Sequence, residues 1–356
     1  MNGQPEGGGK ALGHLKAGRA APPARPAPRP VRHTVTLVPG DGAGEELAEA
    51  VTRIVDASGA GIGWDRHVAG QRAMKPHGTA VPQVLLDSVV RHKAALVGRL
   101  EAPLEGGPSP SVVLRRALKV FASVRPASAL PGLATRHPGL DLILVRENTE
   151  DIYAGIEHEV VPGVIESLRV VTEAASTRIA EFAFELASRQ GRASITCVHK
   201  ANIMKRSDGL FLECCRSVAA AHPDITYREM IADNAAMQLV RDPTRFDVIL
   251  TGNMFGDILS DLCAGLLGGP GTVPSIGHGP DVVVVEAIHE ESNPLALLIP
   301  AVALLRHLGE SQAAGRILQG IQAALQAGRA TPDLGGSAGT SEMVQAIMEA
   351  MPPSET

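Results

Sequence analysis

The chain lacks a marked excess of charge of either sign. In 356 residues, 33 Lys and Arg stand against 38 Asp and Glu, for a formal net charge of −5. That balance gives no reason to expect nucleic acid as a partner. Long hydrophobic runs are missing too, and no apolar stretch reaches membrane-spanning length. Cysteine is scarce: Cys197, Cys214, Cys215 and Cys263 show no metal-ligand spacing. Cys214 and Cys215 are adjacent within a helical pattern, which favours reduced, packed thiols over disulfides and a cytoplasmic setting. No internal repeat is present. What remains is ordinary for a soluble globular protein, 44% hydrophobic and 20% charged, and long enough for a full core in two domains or lobes. Residues 1–30, rich in Gly, Ala, Pro and Arg without apolar periodicity, are predicted to be a disordered tail.

From Val31 onward, short apolar runs alternate with helical patterns. Strands are predicted at Thr34–Val38, Ala94–Gly98, Leu140–Val145, Ala193–Val198, Ile225–Ile231, Phe246–Thr251 and Val282–Val285. Helices are predicted from Glu45, through Leu114, Leu118 and Phe121 with a Ser109-Pro110-Ser111 cap, and at Ser176–Arg189, Asp208–Ala221, Met254–Leu267, Leu295–Leu308 and Ala313–Gln326. Such alternation predicts an α/β fold with a largely parallel sheet. Pro39-Gly40-Asp41-Gly42-Ala43-Gly44 follows the first strand and opens a helix. It suits a phosphate or nucleotide, and equally a plain tight turn, since it is not GxGxxG with a following acid.

The stretch FDVILTGNMFGDILSDLCAGLLGG, 246–269, carries the sharpest chemical signal. Ile258, Leu262 and Leu266 recur on one face of its helix. Asp257 and Asp261, four apart, project from the same side and repel unless compensated. A hard divalent cation such as Mg²⁺ or Mn²⁺ compensates them; so does water around an acidic helix start. Charged residues elsewhere cluster just past strand ends, where open α/β sheets bind ligands. Arg115, Arg125 and Arg146 offer forks for carboxylates, Asp233 joins Asp257 and Asp261 as a candidate metal cage, and Tyr153 and Lys200 offer proton transfer. Together they suit a small polycarboxylate chelated to a divalent cation. Separate surface ion pairs fit the spacing as well.

Five motifs make the chain resemble the isocitrate/isopropylmalate dehydrogenase family, from about Val35 to Glu342. They are PGDGAGEE at 39–46, RENTEDIYAGIEHE at 146–159, VHKANIMKRSDGLF at 198–211, DNAAMQLVRDP at 233–243 and GDILSDLCAGLLGGPG at 256–271. The RENTE form is similar to NAD-dependent isocitrate dehydrogenases, including mitochondrial heteromeric forms. The resemblance implies that family's two-domain α/β fold with a mixed, largely parallel sheet: a large cofactor-binding domain from residues 31–122 and 269–350, and a small substrate, metal and dimerisation domain from 123–268. It implies metal-dependent oxidative decarboxylation of isocitrate, or a close 2-hydroxy acid, with NAD reduction, on a homodimer or larger assembly with shared active sites. Arg115, Arg125 and Arg146 would clamp carboxylates, with Ser109 and Ser111 at the substrate. Asp257 and Asp261 would hold Mg²⁺ or Mn²⁺ with Asp233 from a partner subunit. Lys200, also across the interface, would relay the hydroxyl proton, and Tyr153 would protonate the enol. In a eukaryote the implied setting is the mitochondrial matrix.

The chain departs from the family at several positions. Ser111 replaces an asparagine, Phe121 and Ser123 stand where YAN is usual, and Ala102 replaces a threonine. The cofactor loop, His289-Glu290-Glu291-Ser292-Asn293-Pro294-Leu295, is about half the family's length. Glu286, His289 and Asn293 are the cofactor residues that carry over, and Glu290 or Glu291 would disfavour a 2′-phosphate, hence NAD over NADP. Two readings stand: an active dehydrogenase, supported by the retained aspartates, lysine and tyrosine, and a non-catalytic regulatory subunit, supported by the short loop.

Overall fold

The first apolar run, HTVTLV, folds as strand β1 (His33–Val38), with its last four residues buried. β-Branched side chains fit such a doubly covered strand. The computed structural model describes residues 30–101, 109–133, 135–269, 272–287 and 293–354. Residues 1–29 of the predicted tail, Ala102, His289, Glu290 and Glu291 lie outside the described residues.

After β1 the chain runs through α1 (Gly44–Ala57), β2 (Ile62–Arg66), α2 (Gln71–His77), α3 (Gln83–His92), β3 (Ala94–Val97), α4 (Pro110–Ala117), β4 (Ala122–Ser128) and β5 (Asp141–Glu147). It continues with β6 (Asp151–Val161), β7 (Val164–Val170), α5 (Glu173–Arg189), β8 (Ser194–His199), α6 (Ser207–Ala220), β9 (Thr226–Ile231), α7 (Ala232–Arg241) and β10 (Val248–Thr251). It ends with α8 (Asn253–Leu266), β11 (Ser275–His278), β12 (Val283–Glu286), α9 (Leu295–His307), α10 (Ser311–Gln326) and α11 (Thr340–Ala350).

One sheet has the order β2-β1-β3-β12-β11-β4-β5-β10-β8-β9. Its flanks are parallel, as the alternating pattern predicts, while β11 and β4 run antiparallel to their neighbours, so the sheet is mixed, as the family resemblance implies. Pro126 lies in β4 beyond the end of the β11 ladder, where no neighbour needs its missing N–H. One pair of apolar clusters draws mainly on residues 35–120 and 282–347, the other on 122–273.

Three expectations need correction. The helix predicted through Leu114, Leu118 and Phe121 stops at Ala117, because Lys119 turns to φ +52 and leaves the right-handed region. Ser109 precedes that helix, but its side chain makes no capping bond. On α8 the buried face is Leu259, Ser260, Cys263 and Ala264, while Ile258 is 58% exposed. The small Gly256 decides this rotation: a Cβ there would lie 2.6 Å from Arg146 Cγ, so the helix seats its small-residue face on β5. The hairpin β6–β7 was not predicted. Its signal is Val160-Val161-Pro162-Gly163-Val164, a turn between β-branched residues, with Gly163 at φ +82.

The glycine-rich loop proves to be a packed turn. A Cβ on Gly98 would stand 1.8 Å from the Pro39 carbonyl oxygen, so the two backbones touch. Asp41, 8% exposed, ties the turn down by accepting the Glu101 N–H at 2.9 Å. Gly98→Ala should therefore destabilise the protein by about 1–3 kcal/mol, an overpacking cost with backbone on both sides. Gly209→Ala, in open space on α6, should be neutral or stabilise by up to about 1 kcal/mol. Denaturant unfolding of the two variants checks the contrast.

Candidate active site

Strands β4 and β5 place the arginines. Ser123 stands opposite Arg146 in the antiparallel register, and Arg125 opposite Leu144. Opposed residues, and residues two apart, share a face, so Arg125 and Arg146 are diagonal neighbours on one face of the sheet. Both are 3% exposed. Arg146 Nε donates to Asn253 Oδ1 at 2.8 Å, and its Nη1 donates to Asp257 Oδ1. Arg115 comes from α4 and donates through Nε to Glu286 Oε2 at 2.7 Å.

Arg125 is different. Its Nε donates to the Ser123 hydroxyl at 3.2 Å, and among the described residues no carboxylate pairs with it. Burial first, then the charges of Arg146 and Arg115, push its pKa down to about 9, outweighing the attraction of Asp257 and Glu286. The guanidinium is still charged at neutral pH. A buried cation in that position is costly until an anion joins it.

Tyr153, at the start of β6, closes the group. Its hydroxyl donates to Asp257 Oδ2 at 2.5 Å, and the Arg146 guanidinium lies 5.2 Å from its ring centroid. Burial, and then the hydrogen bond and charge of Asp257, push the Tyr153 pKa up to about 12. Burial pushes the Asp257 carboxyl up, but the Arg146 charge, the Tyr153 hydrogen bond and Arg125 outweigh it and hold it below the usual range. At neutral pH the pair is therefore a phenol poised to donate beside an ionised carboxylate.

Lys200 and Asp233 form a second group. Lys200 follows β8, Asp233 lies in the first turn of α7, and the ammonium donates to Asp233 Oδ1. No hydrogen bond or ion pair among the described residues joins them to the arginines, Tyr153 or Asp257. Asp261 sits one helical turn from Asp257 on α8. No set of three His, Cys, Asp or Glu close enough to hold a metal occurs among the described residues. The donor chemistry of Asp257 and Asp261 nonetheless fits a hard cation: both offer oxygen alone, and the Asp257 side chain is 40% exposed. A cation there would share Asp257 with Arg146.

The remaining sequence candidates are distributed as follows. Ser109 and Ser111 stand at the start of α4, and neither hydroxyl bonds to a described residue. Glu286 is engaged by Arg115. Asn293 is 1% exposed; its Nδ2 donates to Asp333 at 2.5 Å and its Oδ1 accepts the Ala296 N–H at 3.2 Å. Its amide thus also serves the start of α9. His289 lies outside the described residues. A cavity of about 820 Å³ contains none of these residues. It is lined by Val124, Pro126 and Ser128, on the other face of β4 from Ser123 and Arg125, with Phe182, His278 and Arg306. Residues that sequence reasoning missed are Asn253, which orients Arg146, and Asp151, Arg169 and Asp208 beneath the site. Their partners are 18 to 107 residues away, a separation that no local pattern marks.

Strands β4, β5 and β6 with helices α4 and α8 thus gather three guanidiniums, a phenol and a carboxylate in one place, chemistry suited to a small anion. Comparison narrows the class. The sequence profile described as isocitrate/isopropylmalate dehydrogenase matches residues 34–347. "Isocitrate dehydrogenase [NAD] catalytic subunit 5, mitochondrial" of Arabidopsis thaliana is 44% identical over 328 residues, 89% of this chain and 88% of its own length. "Isocitrate dehydrogenase [NAD] regulatory subunit 1, mitochondrial" of the same plant is 42% identical over 340 residues, 90% of this chain and 91% of its own. The crystal structure of isocitrate dehydrogenase from Methylococcus capsulatus superposes with a TM-score of 0.84 at 41% identity, covering 89% of this chain and 99% of that one. The chain belongs to the isocitrate/isopropylmalate dehydrogenase family.

The Tyr153–Asp257 pair is open to direct test. The chain has two tyrosines, and burial pushes Tyr227 up as well. Ultraviolet titration of the wild type should show no tyrosinate below about pH 10, the ordinary tyrosine value. Asp257→Asn removes the charge that opposes ionisation of Tyr153 and should bring one tyrosine down toward that ordinary value. Superimposable titration curves would contradict the pairing.

Proposed function

We propose that this chain is a catalytic NAD-dependent dehydrogenase that oxidises and decarboxylates isocitrate, or a close 2-hydroxy polycarboxylate, to a 2-oxo acid. The observation that carries the reading is Arg125, a buried guanidinium without an acid partner among the described residues, set beside Arg115 and Arg146 and next to Tyr153 and Asp257. A substrate carboxylate relieves that uncompensated charge, and three forks select a substrate with several carboxylates. The retained Lys200, Asp233 and Asp261 support catalysis over a purely regulatory role, which the similar identity to a regulatory subunit keeps in view.

In this reading Arg115, Arg125 and Arg146 hold the carboxylates and orient C2. Lys200, reaching into the neighbouring subunit's site, relays the hydroxyl proton, giving up its own proton to solvent before it accepts the substrate's, and its pairing with Asp233 holds its ammonium in place between turnovers. Tyr153, kept protonated by burial and by Asp257, delivers a proton to the carbon that loses CO₂. Bound NAD would supply the hydride acceptor, and Mg²⁺ or Mn²⁺ held by Asp257, Asp261 and Asp233 of the partner subunit would supply polarisation of the C2 oxygen.

Shared sites require an assembly, and the β6–β7 hairpin supports one. Ile152, Ile156, Val160, Val161, Val164, Ile165 and Leu168 are all exposed on it. An isolated two-stranded ribbon is marginal in water, and an apolar patch of this kind marks an interface. A second copy of the chain, or a related subunit, is the proposed occupant. The two-lobe division, 31–122 with 269–350 and 123–268, is proposed with it. Among the described residues no helix is long and apolar enough to cross a membrane. The relatives' mitochondrial names support the matrix as the setting in a eukaryote.

The test is NADH formation by the purified protein with Mg²⁺, assayed across isocitrate, homoisocitrate, isopropylmalate and tartrate. Activity on one of them is expected. No activity alone, together with altered kinetics when a catalytic partner is added, would assign the regulatory role instead. In the active enzyme Arg125→Met removes hydrogen bonds to a charged group worth about 1.5–3 kcal/mol. The KM for the polycarboxylate should rise roughly tenfold to 150-fold, and the KM for NAD far less.

A further inference from the structure

Beneath the two groups of site residues lies a buried ion cluster that neither group includes. Asp151 and Asp208 are 2% and 1% exposed. Arg169, from β7, bridges them. Its Nε donates to Asp151 Oδ1 at 2.7 Å and its Nη2 to Asp151 Oδ2 at 3.2 Å, a two-pronged pairing, while its Nη1 donates to Asp208 Oδ1. Each aspartate then holds a backbone amide. Asp151 Oδ2 accepts the Met254 N–H at 3.1 Å, in the first turn of α8 and three residues before Asp257. Asp208 Oδ2 accepts the Lys200 N–H at 2.5 Å.

Asp151 also sits at φ +80, a conformation unfavourable for any residue with a side chain. It holds that shape while its carboxylate accepts the Ile152 N–H at 2.8 Å, and Tyr153 is the next residue on. Two carboxylates and one guanidinium leave a net negative charge in a buried place. The first turns of α8 and α6, where Met254 and Asp208 lie, present their positive ends to it. Two helix starts and one strained turn are thus fastened to one guanidinium.

We propose that Arg169 is a positioning residue that couples the two groups of catalytic side chains on this chain, Tyr153 with Asp257 on one side and Lys200 with Asp233 on the other. The proposal rests on the functional reading above, in which those groups serve two different active sites of an assembly. Within it, the Asp151–Arg169–Asp208 bridge keeps neighbouring sites in register. Plain stabilisation by a buried ion pair is the competing account, and it makes no special claim on Lys200 or Met254.

The experiment uses the full chain with Arg169→Met and Arg169→Lys, read by hydrogen exchange at the Lys200 and Met254 amides, with β5 as a control for global opening. Arg169→Met should speed exchange at both amides by about tenfold or more while β5 stays within about twofold, since local opening is separable from global unfolding. Turnover should fall roughly a hundredfold, the scale of a misplacement near 1 Å. Arg169→Lys, which keeps the charge but cannot fork to both carboxylates, should recover part of each effect. If Arg169→Met does not fold, Arg169→Lys carries the test at the same two amides. Faster exchange at one amide alone, at neither, or equally at β5 overturns the coupling. The exchange readout does not need activity, so a wild type that forms no NADH would sink the functional reading and leave this result to stand by itself.

Discussion

Burying Arg125 and Arg146 on one face of β4 and β5 is the constraint on which the site depends. Two guanidiniums at diagonal positions repel, and a sheet interior offers little water to screen them. Each neighbouring feature answers part of that problem. Gly256 lets α8 descend until Asp257 reaches Arg146, Asn253 takes the Arg146 Nε, and Glu286 takes Arg115. Among the described residues Arg125 is left without an acid, and in the proposed function a substrate carboxylate supplies the balancing charge. The same arrangement keeps Tyr153 protonated: burial, and then the hydrogen bond and charge of the carboxylate that balances Arg146, oppose ionisation of the phenol.

Much of the fold is legible in the sequence because its strands are short apolar runs and its helices amphipathic. Buried strands such as Val248–Thr251 and Ala94–Val97 announce themselves by composition alone. Arg115, Arg125, Arg146, Tyr153 and Asp257 are legible as candidates by residue type, and the structure brings them together, whereas Lys200 and Asp233 stand apart as a second group. What escapes is decided by tertiary packing. Ile258 reads as part of a core stripe, but the small residues of α8 win the sheet and turn it outward. The bond from the Asn293 amide to Asp333, forty residues on, has no local signal. The glycine-rich loop reads equally as a phosphate cradle or a tight turn, and its packing on the backbone of Gly98, about sixty residues on, has no local signal.

The hairpin shows a different limit. Most of the hairpin's apolar side chains are exposed on this chain, so the alternation that marks a half-buried strand is weak. Tyr153 is carried on the first of these strands, and the Asp151 turn that launches it is anchored to both α8 and the Lys200 turn. The least self-sufficient element of the fold is therefore tied to its most buried charges. In the proposed assembly, a partner covering the hairpin would also steady the phenol.

The central claim is that Tyr153 and Lys200 of one chain serve different active sites. Mixing subunits tests it directly. Tyr153→Phe and Lys200→Met should each lose the complete decarboxylating reaction as homo-oligomers. Dissociated and reassembled together as dimers, half of the molecules are hybrids, each with one intact site of two, so activity should return to about a quarter of the wild-type level. Mixed subunits that stay as inactive as either parent, with hybrids shown to form, would place both residues in one chain's own site and contradict the account.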